Sequence, residues 1–242
     1  MNSSLQYVPL AGWWLRGSAG QAFPRMPTVP GPGHPRGFTC ELAGFIASAG
    51  FASGHRFVVG IWDDSPLGPM SDLMWARPDG ERVLLAGRRD VADFITAVYR
   101  FDRVEIRPLE CRWDGPTLRV DSGDLTVSMR CGRNWRIPFP RIRSLGAARR
   151  AEALVARHTL GVRTFGTSPT GVFEWYRADR YRRVVAARAS LCGVDLGSVA
   201  RFRSPAGFGF SEPPRWPSVV RVRPLLIDPS GDLARVVPDT AR

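Results

Sequence analysis

"WDDSPLGPMSDLMWARPDG" (residues 62–80) decides how the chain is read. Two prolines bracket Leu67-Gly68, and a strand-like run carrying a single acid follows at once. Alternation along a strand puts Met70, Asp72, Met74 and Ala76 on one face and Ser71, Leu73 and Trp75 on the other. A carboxylate among methionines is either a functional acid or the partner of a nearby arginine. Dry, methionine-lined surroundings would move its pKa upward, into the range where it can give or take a proton near neutrality.

Outward from this stretch, short alternating runs predict strands at 56–62, 71–77 and 82–86. "RDVADFITAVYRF" (89–101) has Val91, Phe94, Ile95 and Val98 at helical spacing, with Asp90 placed to help cap the first turn. Strands resume at 103–109, 117–120 and 125–131, divided by the turn signals "WDGP" and "DSGD". "IRSLGAARRAEALVARHTLG" (142–161) predicts a second helix closed by Gly161. Strands are expected again at 172–177, 181–192 and 219–227. The count favours an α+β fold, mostly antiparallel β-sheet and barrel-like, with two or three helices. Residues 1–37, rich in Gly and Pro, read as an irregular arm, and 38–242 as one domain.

All 34 basic residues are arginine, against 22 acids, for a net charge of +12. Arginine stays protonated at any working pH, so no side chain of this chain can form a Schiff base. The arginines are spread along the chain, which reads as a solvated basic surface; nucleic acid stays a weaker alternative through counterion release. "EWYRADRYRR" (174–183) could stack bases, or could turn Trp175 and Tyr181 inward with arginines on the rim. Cys40, Cys111, Cys131 and Cys192 form no CxxC pair, and His34, His55 and His158 stand apart, so neither a metal nor another cofactor is expected. No signal peptide or membrane-length apolar run is read, which predicts a soluble cytoplasmic protein. Ser65, Ser71 and Ser168 lie in no nucleophile elbow. "GFGFSEPPRWPS" (207–218), with Phe208 and Phe210 on one side, reads as a covering loop or a lid.

Four segments in order resemble the acetoacetate decarboxylase family: "AFPR" (22–25), "SPLGPMSDL" (65–73), "LLAGRRDVADF" (84–94) and "GDLTVSMR" (123–130). The resemblance implies a largely antiparallel β domain around an apolar pocket for a small oxo-acid. In that family a lysine forms the Schiff base, assisted by carboxylates and an arginine. Carried over, the turn's acid falls on Asp72, and an earlier acid falls on Val58 or Val59 and is lost. The lysine position falls on Thr96 or, in a second register set by "GRNWRIPF" (132–139), on Phe139. The pocket arginine is best matched by Arg36. The resemblance thus implies a pocket near Arg36, Met70, Asp72, Met74, Phe94 and Thr96, with no amine for covalent catalysis.

The expected function is binding of a small oxo-acid or lipophilic ligand, with or without residual acid/base lyase or isomerase chemistry at Asp72. The alternatives are a nucleic-acid-associated protein and a protein–protein module with a relic pocket. Self-association is compatible with each.

Overall fold

The computed structural model describes residues 36–136, 163–202 and 205–238. The Phe-Pro-Arg segment, the 142–161 helix and Phe139 lie outside these residues. The described chain runs β1 (Phe38–Glu41), β2 (Ala43–Phe51), β3 (Arg56–Asp64), β4 (Met70–Ala76), β5 (Arg82–Ala86), α1 (Arg89–Val98) and β6 (Arg103–Ile106). It continues with β7 (Glu110–Asp114), β8 (Thr117–Ser122), β9 (Leu125–Arg136), β10 (Phe165–Thr167), β11 (Phe173–Leu191), β12 (Val194–Asp195), β13 (Val199–Ala200), β14 (Ser218–Asp228) and α2 (Asp232–Val236). The fold is α+β and mostly strand.

All these strands join one sheet, whose main path runs β6-β5-β4-β3-β2-β14-β11-β9-β8-β7. Among the described residues every pairing is antiparallel except β5–β6. That parallel pair needs a crossover, and α1 supplies it. The sheet curls far enough for Trp113 of β7 to meet Phe45 of β2 edge-on, with ring centroids 6.0 Å apart.

Alternation then builds two cores. One face of β2–β5, carrying Phe45, Phe57, Val59, Leu73, Trp75 and Leu85, packs against Leu118, Leu125 and Met129 of β8 and β9. The other face, carrying Trp62, Met70, Met74 and Leu84, is covered by α1 through Val91, Phe94, Ile95 and Val98. Burying each of those four helix side chains contributes roughly 1.5–3 kcal/mol, so packing holds α1 in place. Its start has no side-chain cap; Asp90 instead accepts the Val91 N–H at 2.8 Å. α1 stops at Val98, where Tyr99 turns extended. Three residues predicted as helix therefore fall outside it.

β11 is a single 19-residue strand where the sequence predicts two. "RADR" holds no glycine or proline to break the strand, and the ladder absorbs the irregularity as a register shift between Ala178 and Arg180. β7 lies outside the predicted strands. No helix among the described residues is long and apolar enough to cross a membrane.

Candidate functional site

Asp72 lies in β4 directly opposite Gly60 of β3. Its side chain is fully buried on the α1-covered face with Met70 and Met74. Because Gly60 has no side chain, the carboxyl lies flat across β3, where Trp62 Nε1–H donates to Oδ1 at 3.0 Å. Oδ2 is buried without a partner among the described residues. No arginine described in the structure pairs with Asp72. Desolvation, offset in part by the Trp62 bond, pushes its pKa up to about 6.

A second buried carboxyl, Glu174 of β11, belongs to the same region. Strand alternation sends Trp175 to a separate cluster with Leu225 and Ile227, and sends Tyr176 to the α1-covered side. Tyr176 Oη donates to Glu174 Oε2 at 2.9 Å, and Tyr99 Oη contacts both that oxygen and the Tyr176 hydroxyl. One hydroxyl carries one proton, so Tyr99 donates to only one of the two at a time. Glu174 Oε1 is buried and unpartnered among the described residues. Desolvation pushes the Glu174 pKa up to about 7, against the lowering effect of the two phenols. Desolvation, then the Glu174 charge, raises both phenols well above their usual value, and the Asp72 charge adds to this at Tyr176. Asp72, Tyr176, Glu174 and Tyr99 therefore form one electrostatically linked set.

The 205–212 loop covers this set. Ala206 and Phe208 pack with Val58, Ala76, Met74 and Phe101. Phe210 lies over Tyr176, with ring centroids 5.9 Å apart. Gly209 passes so close to Tyr99 that a Cβ there would stand 2.6 Å from the ring. The Glu212 carboxylate ties the loop by accepting the Ala206 and Gly207 N–H groups at 2.6 and 3.0 Å. Arg56 and Arg82 add bonds to Pro205 O and Gly207 O. Hydrogen bonds to a charged group contribute about 1.5–3 kcal/mol. Glu212→Ala should accordingly lower stability by about 2 kcal/mol. It should also speed thermolysin cleavage before Phe208 or Phe210 several-fold, read by mass spectrometry of timed digests.

Of the residues singled out from the sequence, Met70, Asp72, Met74 and Phe94 share the α1-covered region. Thr96 is half-buried, its hydroxyl donating to Ala92 O at 2.8 Å within the helix. Arg36 is exposed. Trp62, Tyr99, Glu174 and Tyr176 are not among the residues that the sequence singles out. The available signal is an acid at an alternating position between Phe173 and Trp175, the same pattern that marks Asp72. Burial pushes the thiols of Cys40 and Cys111 up to about 12 and that of Cys131 up to about 11, which removes them as nucleophiles at neutral pH. No three of His, Cys, Asp and Glu converge as metal ligands among the described residues.

No family model and no curated protein matches the chain. Among solved structures it is similar to acetoacetate decarboxylase from Legionella pneumophila subsp. pneumophila str. Philadelphia 1, at 10% identity and a TM-score of 0.34. That similarity covers 92% of this chain and 96% of the other. The family resembled by the sequence motifs is the one this solved structure comes from. At this distance, no substrate or residue role passes from one chain to the other.

Proposed function

We propose that the chain binds a small, largely apolar molecule with a carbonyl or hydroxyl head at the Asp72–Tyr176–Glu174 set, without covalent capture. The observation that carries this reading is the pair of oxygens, Asp72 Oδ2 and Glu174 Oε1, that have no hydrogen-bond partner among the described residues on two buried carboxyls. A buried polar atom without a partner costs about 1–3 kcal/mol, which a ligand group or water would recover. Neither carboxyl has an arginine among the groups that shift it. An anionic ligand would therefore meet no compensating charge at these two groups, which favours a neutral ketone or alcohol over an oxo-acid.

Burial lifts both carboxyls toward neutrality, where one can act as base and the other as acid. In keto–enol exchange, Asp72 would take the C–H proton while Glu174 supplies one to the carbonyl oxygen. No lysine exists to divert a ketone into an imine.

Thermal melting at pH 7 tests the reading, with medium-chain methyl ketones, the matching alcohols, and 2-oxo and 3-oxo acids. A neutral ligand near 100 times its Kd should raise Tm by about 5 °C or more. The rise should disappear in Asp72→Asn and Glu174→Gln. Borohydride added with the ketone should leave the protein mass unchanged. A trapped adduct, no response to any neutral ligand, or a response that survives both substitutions would overturn the proposal.

A further inference from the structure

A second feature shares no residue with the buried carboxyls. β9 and β11 pair with Trp135 opposite Tyr181 and Asn134 opposite Arg182. On the exposed surface of this ladder and of the segments beside it, Trp135 is 62% exposed, Trp216 47% and Val185 60%. Such large rings are ordinarily covered, so their exposure marks a surface built for contact. Each tryptophan is dressed by arginine. The guanidinium of Arg133 lies 5.9 Å from the Trp135 ring, and those of Arg183 and Arg201 lie 4.8 and 5.2 Å from the Trp216 ring.

Trp216 also walls a surface groove of about 220 Å³, with Arg183, Val185, Val199, Ala200 and Pro217. That leaves room for a planar ring. The Val184 N–H to Pro217 O bond, at 2.9 Å, fixes one wall to β11.

Among the described residues Arg133, Arg183 and Arg201 form no ion pair, in contrast to Arg82, Arg88, Arg119, Arg177 and Arg221, each of which holds a carboxylate. Alongside, burial and then the positive charge of Arg221 lower the Arg180 guanidinium from its usual value; the Asp179 carboxylate opposes this and Arg136 adds to it. The described surface thus offers half-exposed aromatic rings flanked by Arg133, Arg183 and Arg201, which hold no carboxylate among the described residues.

We infer that this arginine–tryptophan surface binds single-stranded nucleic acid, with bases stacking on Trp216 and Trp135 and phosphates held by Arg133, Arg183 and Arg201. Stacking on an aromatic face accepts any base, and neighbouring guanidiniums hold a backbone without reading sequence. A duplex keeps its bases stacked inside and cannot use the rings.

The test is fluorescence anisotropy of the full chain with labelled dT20 and with a 20-base-pair duplex, at 50 and 200 mM salt. A +12 chain attracts any polyanion, so the decisive readings are differences. dT20 should bind at least tenfold tighter than the duplex at 200 mM salt and quench tryptophan fluorescence. Trp216→Ala should weaken dT20 by about tenfold or more while leaving duplex binding within twofold. Arg183→Gln should weaken both strands and reduce the salt slope by about one. Equal binding of duplex and dT20, an unaffected Trp216→Ala variant, equal displacement by polyglutamate, or dTMP binding as tight as dT20 would each overturn the inference.

Discussion

Replacing Asp72 by asparagine should raise the unfolding free energy relative to wild type by about 2.5 kcal/mol more at pH 8 than at pH 4. The sign follows from proton counts. Burial lifts the folded-state pKa from 3.8 to about 6, so between these values the folded chain holds a proton that the unfolded chain has released. Stability from this group is complete below pH 4 and is lost as pH rises through 6. At about 1.4 kcal/mol per pKa unit, the shift of roughly two units sets the size.

The asparagine oxygen still accepts from Trp62, and whatever its amide costs at the bare Oδ2 position is the same at every pH. It therefore cancels in the difference. Glu174→Gln should give a parallel difference spread over pH 4.5–7. Wild type alone would mislead, because burial, then the Arg77 charge, lowers the pKa of His55, which accepts from Trp75 Nε1 at 2.9 Å. His55 consequently contributes stability that grows with pH near 6, with the opposite sign. Urea unfolding of variant and wild type at matched pH isolates the carboxyl. A pH-independent difference would mean that Asp72 is not held in a dry, uncompensated place.

That result bears directly on how the site could be read. Asp72 was legible because one acid interrupts an otherwise apolar strand beside a proline turn. Its partner was not, because Trp62 reaches it only through the β3–β4 register and the missing side chain at Gly60. Whether Asp72 paired with arginine was a question of strand pairing, on which local pattern is silent. Glu174 carried the same signal between Phe173 and Trp175. The arginines that follow it point toward surface chemistry instead, although the first of them, Arg177, is spent on Glu41.

The strands at 56–62, 71–77 and 82–86 and the start of the helix followed from alternation and helical spacing. β2 did not, since "AGFIASAGF" is rich in alanine and glycine, which carry little strand preference. It is a strand because it is buried on both faces between β3 and β14. No periodicity distinguishes such a segment from a buried loop.

Gly60 is where backbone and chemistry meet, and Gly60→Ala should cost about 3–5 kcal/mol. The added Cβ would stand 2.3 Å from Asp72 Oδ1 and 2.7 Å from Trp62 Nε1, closer than real Cβ atoms approach. Either the carboxyl swings off Trp62 and loses that hydrogen bond, or β3 and β4 spread across a fully buried layer. The loss should be larger at pH 8 than at pH 5, where the displaced carboxyl is already protonated. Ketone-induced thermal shifts should vanish with it. A double-mutant cycle separates this from a general intolerance of alanine in the strand. In an Asp72→Ala background the carboxyl is gone, so Gly60→Ala should cost about half as much. An equal cost in both backgrounds would make Gly60 a packing residue alone, and the flat lie of the Asp72 carboxyl across β3 would then owe nothing to the missing side chain.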